Sequence, residues 1–162
     1  MSRGRPQHVI SMWGAPGTIM AEARMEHPEM NKILVQRLYD EYLNTGDLDH
    51  VDELMGFDFR LHGERDLEGG IEGVKALMAP WYSAFPDLRL EVLDMIAQGN
   101  KVGVRVRVSG TQRGEFMGRP PSDKRMEFME LGMFRLEGEM IVEYWGVEDT
   151  AAMYGQLGMM PP

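Results

Sequence analysis

The stretch RMEFMELGMFRLEGEMIVEYWGVEDT, residues 125–150, decides how this chain is read. Two apolar-rich runs, Arg125 to Leu136 and Met140 to Val147, are joined by Glu137-Gly138-Glu139, the pattern of a long antiparallel hairpin. Gly132 and Gly146 stand inside those runs. A glycine within a strand packs nothing and weakens the strand, so it marks a bulge or a place where something comes close. With Gly138 centring a three-residue turn, Phe134 faces Val142, Gly132 faces Tyr144 and Glu130 faces Gly146, all with side chains on one side of the sheet. Gly146 then leaves a hollow across from Glu130, and Gly132 leaves one across from the Tyr144 ring. Phe128 and Met126 share that face, so Glu130 is expected in apolar surroundings. Burial there disfavours the charged carboxylate, raises its pKa and suits it to proton transfer near neutral pH.

Outward from the hairpin, strand signals continue toward the N-terminus. Val102, Val104, Val106 and Val108 alternate with Gly103, Arg105, Arg107 and Ser109, and Leu88 to Ile96 forms another run, with Gly99-Asn100 as the tight turn between the two. Phe57, Phe59 and Leu61 alternate with polar residues in a first strand. Helical spacing precedes these strands. Val35, Leu38, Tyr39, Tyr42 and Leu43 mark an amphipathic helix opened by Pro28 and closed by Gly46. A short helix is expected from an Asp47 cap to Gly56, with Leu48, Val51, Leu54 and Met55 on its apolar face. Ile71, Val74, Met78, Trp81 and Phe85 mark a third, which Pro80 should kink and Pro86 should stop. Helices first and a strand meander afterwards argue α+β, with the helices on one face of a curved sheet. Asp149 before Thr150-Ala151-Ala152 reads as the N-cap of a C-terminal turn or helix. Residues 1–26, punctuated by Gly4, Pro6, Gly14, Pro16 and Gly17, read as an irregular arm, and residues 27–162 as one domain.

Composition narrows the chemistry. The 162 residues carry a net charge of -9 and no cysteine, so disulfides, thiolate nucleophiles and thiolate metal sites are ruled out. The 17 basic residues are scattered among 26 acidic ones, which argues against nucleic acid, whose phosphates need clustered Lys and Arg. His8, His27, His50 and His62 show no HxxxH or HxH spacing, so no metal is expected. No apolar run reaches membrane-spanning length and no signal-peptide core stands out, so the expectation is a cytoplasmic protein with no membrane partner.

The segment from Phe85-Pro86-Asp87-Leu88, through Gly110-Thr111, Gly114, Phe116, Gly118, Pro120-Pro121 and Arg125, to Phe134-Arg135, Gly138, Glu143, Trp145, Asp149 and Gln156-Leu157-Gly158 resembles the SnoaL-like polyketide cyclases. These proteins, also called ester cyclases, belong to the nuclear transport factor 2-like superfamily, and the likeness covers residues 29–158. The resemblance implies a cone-shaped fold, a deep pocket between helices and sheet, and homodimers or tetramers formed through the outer face of the sheet. It also implies a catalytic Asp at position 146, where this chain has Gly146, and histidines at the positions of Tyr144, Gly132 and Gln112. None of the four is retained.

The expectation is therefore a relocated site. Glu130 is the candidate acid/base and Tyr144 the donor to an oxyanion or carbonyl. A lone strand Glu more often reaches solvent or pairs with an Arg, and Tyr144 more often packs as an aromatic with a satisfied hydroxyl. His62, Trp81, Arg105, Gln112, Gly132, Phe134 and Gly146 are candidate ligand contacts. For Arg105 the alternatives are a Glu130 partner, an anion site or a structural ion pair. The chemistry expected is proton transfer on a hydrophobic carbonyl compound without a cofactor. A non-catalytic binding protein, and an epoxide hydrolase or ketosteroid isomerase type of enzyme, stand as alternatives.

Overall fold

The first helix, α1 (Pro28–Arg37), places Pro28 in its opening turn, where the missing amide proton costs nothing, with Glu29 beside it and Arg37 in its last turn. The chain structure is a computed structural model that describes residues 27–63 and 69–160. The arm expected over residues 1–26 lies outside the described residues. Beyond Arg37 the helix widens into a π-helical segment, Leu38–Leu43, and ends where the Gly46 amide, at φ +75°, bonds the Tyr42 carbonyl. The apolar positions read from the sequence face inward: Val35, Leu38, Tyr39 and Tyr42 are all buried. Asn44 fastens this helix to the sheet by donating from Nδ2 to the Leu90 carbonyl at 2.9 Å and accepting the Leu90 amide at 2.8 Å.

The short helix expected from Asp47 to Gly56 is reduced to a single 3-10 turn, Val51–Glu53. Its apolar residues are buried as expected, but Leu54 and Met55 are taken by the sheet. The Leu54 carbonyl accepts the Ile141 amide at 2.7 Å, and strand β1 (Met55–His62) begins one residue later. Sheet pairing outcompetes a helix too short to support itself. Helix α2 (Gly70–Ala84) contains Pro80 and stops ahead of Pro86, buried by Ile71, Val74 and Ala84.

Strands β2 (Arg89–Gln98), β3 (Lys101–Thr111), β4 (Arg125–Glu137) and β5 (Met140–Glu148) follow. The sheet order is β1-β5-β4-β3-β2, with β1 parallel to β5 and the other pairs antiparallel. Helices therefore pack on one face of a mixed five-stranded sheet, an α+β architecture. A last helix, α3 (Thr150–Leu157), is capped by Asp149, whose Oδ1 accepts the Ala152 amide at 3.0 Å. Among the described residues no helix is long and apolar enough to cross a membrane.

The β4–β5 hairpin departs from the expected register by two residues, in two steps. Glu137 pairs with Met140, so the turn holds two residues, Gly138 and Glu139, rather than three. Gly138 sits at φ +61°, as such a tight turn demands. That single-residue slip alone would send every inward side chain outward. A β-bulge between Arg135 and Leu136 adds the second residue and restores the faces. The pairs are thus Phe134 with Tyr144, Gly132 with Gly146, and Glu130 with Glu148.

On the opposite face the ladders align Ile96, Gly103, Met133, Trp145 and His62 in one row, and Asp94, Arg105, Leu131 and Val147 in the next. Ile96, Leu131 and Val147 are exposed there.

Candidate functional site

A cavity of about 240 Å³ opens between the π-helical segment after α1, helix α2 and the inner face of the sheet. Its walls are mostly apolar, among them Leu38, Phe59, Trp81, Val108, Phe128 and Phe134. Four polar side chains reach it: Tyr39 from the π-helical segment after α1, Glu130 from β4, and Tyr144 and Glu148 from β5. Alternation on the strands sends residues 128, 130, 134, 144 and 148 inward together, and the π-helical widening of the first helix is where Tyr39 joins them.

The two strand glycines are explained by Tyr144. Its ring lies across the Gly132–Gly146 pair, so that a Cβ at Gly146 would meet the ring at 2.6 Å and the hydroxyl at 2.7 Å, and a Cβ at Gly132 would come closer still. The hollows expected across from Glu130 and Tyr144 are accordingly filled by Tyr144 itself. The ring packs against Phe134 at 4.5 Å between centroids, and Phe134 meets Tyr39 edge-on at 6.1 Å. Held in this way, the Tyr144 hydroxyl donates to the Glu130 carboxylate, and the charge of Glu130 is felt by the buried Tyr39 hydroxyl as well.

Burial among apolar walls pushes the Glu130 carboxyl up to about 7, with the hydrogen bond from Tyr144 opposing and the charge of Glu148 adding to the rise. Burial first, and then the charge of Glu130, also raises Tyr144 and Tyr39 above the usual phenol range. Both phenols therefore stay protonated as donors. The arrangement is a carboxylate able to gain or lose a proton near neutrality, beside hydroxyls that hold theirs.

The other sequence candidates divide. Trp81 and Phe134 line the cavity, and Trp81 sits in an aromatic group with Phe85, Phe116 and Phe128. Arg105 lies on the opposite face of the sheet, where it pairs with Asp94, and no bond to Glu130 is geometrically open to it. Gln112 is buried in the loop after β3, donating from Nε2 to the Pro120 carbonyl at 3.0 Å and accepting from Ser122 Oγ at 2.7 Å. It organises the Pro120-Pro121 loop and does not line the cavity. His62 is on the outer face, stacked on Trp145 at 4.9 Å, with Nε2 3.3 Å from Glu143 Oε1. Arg135 also donates to Glu143 and holds its carboxyl below the usual range.

Glu148 is the polar lining residue that sequence reading missed. Glu148 lies two residues beyond Gly146, on the same face, and the true register puts it directly opposite Glu130. Tyr39, one of the residues that mark the first amphipathic helix, is both buried in the core and part of the cavity wall. Among the described residues no group of three or more His, Asp or Glu is placed to hold a metal ion.

Several of the quoted motifs serve the fold. Asp87 accepts both the amide and the hydroxyl of Thr111, at 2.7 and 2.8 Å, pinning the α2–β2 loop to the end of β3. The Gln156 side chain bonds the amide and carbonyl of Glu127, fastening α3 to β4.

Comparison with known proteins agrees with this architecture. No curated protein matches the chain. Among solved structures, AclR from Streptomyces galilaeus, a proposed hydroxylase, is 27% identical with a TM-score of 0.75, over 83% of this chain and 100% of its own. A proposed SnoaL-like polyketide cyclase from Jannaschia sp. CCS1 is 29% identical with a TM-score of 0.74, over 83% and 95%. IdmH from Streptomyces antibioticus, a proposed polyketide cyclase, is 32% identical with a TM-score of 0.70, over 79% and 98%. The profile of the SnoaL-like polyketide cyclases matches residues 33–157, and on that match the chain belongs to the SnoaL-like polyketide cyclase family.

Proposed function

We propose that this protein is a cofactor-independent acid/base catalyst of the cyclase or isomerase type, acting on a small hydrophobic carbonyl compound with Glu130 in place of the carboxylate that relatives carry on the last strand. The observation that carries this reading is Glu130 itself: a carboxyl lifted to about 7 at the wall of an apolar cavity. A base works best when its pKa lies near the working pH. Tyr144 donates its one proton to Glu130. A carbonyl oxygen entering the cavity competes for that proton. When Tyr144 turns to the carbonyl, Glu130 loses its stabilising donor and becomes more basic, just as the carbon next to the carbonyl becomes more acidic. Glu130 then takes the carbon-bound proton, the enolate oxygen is held by Tyr144 with Tyr39 behind it, and the carbanion adds to a second carbonyl or is reprotonated.

The test uses β-tetralone, a two-ring ketone with activated protons next to its carbonyl. Wild-type protein should speed exchange of those protons for deuterium, followed by NMR, and Glu130→Gln should lower the rate by about a hundredfold or more. Binding without exchange would leave a ligand carrier of the same fold. The outer face, with Leu131 and Val147 paired and exposed on β4 and β5 and Ile96 exposed on β2 in the neighbouring row, supports self-association of two copies through the sheet.

A further inference from the structure

We infer that the Tyr144 ring is the floor of the cavity and sets the size of its ligand, limiting it to carbonyl compounds of one ring or two fused rings. This rests on the reading of the cavity as a ligand site. Gly132 and Gly146 are directly paired in the β4–β5 ladder, and a Cβ on either would strike the Tyr144 ring. The ring therefore lies against bare backbone, in the layer that two inward side chains would otherwise fill. Tyr144 lines the cavity and neither glycine does, so the ring is what separates the ligand space from the strands at this point. It is fixed there from two sides. Phe134 packs against it at 4.5 Å between centroids, and its hydroxyl donates to Glu130. A ligand that needed the slot over the glycines would have to break that hydrogen bond and displace a buried ring.

The space above the ring is small. At about 240 Å³ the cavity lies below the range typical of drug-sized ligands, which fits one or two rings. Tyr39, Met55, Phe59 and Phe134 in its wall are buried and close its deep end, whereas Leu77 and Glu148 are exposed and mark its mouth. No side chain at position 132 or 146 stands ready to refill the slot, and the strand pairing holds its backbone. Shortening Tyr144 would thus leave a ring-sized space continuous with the cavity, because such a site relaxes only in part. Apolar space of that kind accepts an aromatic ring. The ligand class is a compact aromatic or alicyclic ketone, ester or amide, and Tyr144 is what excludes a third fused ring.

The experiment titrates protein into naphthamide and into linear anthracenecarboxamide, amides that differ by one fused ring, and follows the fluorescence of each. Wild-type protein should bind naphthamide at least about tenfold more tightly than the three-ring amide. Tyr144→Ala should abolish or reverse that preference by opening the slot, and Tyr144→Phe, which keeps the ring and loses only the hydroxyl, should preserve it. Tyr144→Leu, a milder change that opens part of the slot and keeps the fold if the alanine variant does not, should shrink the ratio about threefold or more. Affinities for the two amides within about twofold in the wild type, or a wild-type ratio retained by the folded alanine or leucine variant, overturns the inference while leaving the ligand site standing. Failure of naphthamide itself to bind the wild type removes the ligand site and this inference together.

Discussion

The Tyr144 ring lies across the Gly132–Gly146 pair and ends at the Glu130 carboxylate, to which its hydroxyl donates. This one contact joins the two glycines, the half-buried acid and the cavity. Removing it should be visible in the acid. Tyr144→Phe keeps the ring but deletes the donor that holds Glu130 down, so the Glu130 pKa should climb above about 7. The midpoint of the pH–rate profile for β-tetralone exchange should move upward with it, and the rate should fall about a hundredfold as the enolate loses its donor. An unmoved midpoint would separate Tyr144 from Glu130.

The raised pKa also has a sign in stability. Glu130 binds its proton more tightly folded, at about 7, than at the ordinary value of 4.5, so the folded state holds the extra proton between those limits. Its contribution to stability is therefore lost as pH rises from 4.5 to 7 and stays lost above. Glu130→Gln, which cannot ionise, should be more stable than wild type at pH 8 by up to about 3 kcal/mol. The two should converge below pH 4.5, in urea melts run across the range.

Each glycine under the ring should resist a methyl group. Gly132→Ala and Gly146→Ala place a Cβ inside the space of a ring already packed on Phe134, so each should cost about 1–3 kcal/mol. Both should also weaken naphthamide binding, because the displaced ring must move into the cavity. Gly155→Ala, where a Cβ meets nothing within 4 Å, serves as the control and should be neutral or stabilising in thermal melts.

The two long helices, the strands and the inward face of the hairpin were legible in the sequence because periodicity depends only on side-chain spacing, whereas the short helix expected from Asp47 to Gly56 was not, being reduced to one 3-10 turn before β1. Residues 128, 130 and 134 were placed on one face together with 144 and 146, and they are. The register was not legible. A two-residue turn and a bulge each shift it by one, and nothing in Glu137-Gly138-Glu139 separates that outcome from a three-residue turn with no bulge. Face assignment survived because the shifts add to an even number. The partner of Glu130 did not survive, and Glu148 was missed for that reason. Arg105 and Gln112 were drawn toward the site by sequence position, yet one is claimed by Asp94 across the strand pair and the other by a loop carbonyl. Long polar side chains choose partners that strand periodicity does not reveal.

The outer face makes a separate prediction. Leu131 and Val147 are directly paired and exposed, so placing a charge on each by Leu131→Asp and Val147→Asp should shift a self-associated protein to monomer in light scattering. The cavity lies on the other side of the sheet, so naphthamide affinity should change little. A monomer at every concentration in the wild type would remove this face from the account.

The most direct measurement is the titration of the Glu130 carboxyl itself, followed by carbon-13 NMR with Glu130→Gln identifying the resonance. The account expects a midpoint near 7, displaced upward by Tyr144→Phe and downward by Glu148→Gln. A midpoint near 4.5, unmoved by either change, would mean that Glu130 is an ordinary solvated carboxylate, and the proposed chemistry would have no base.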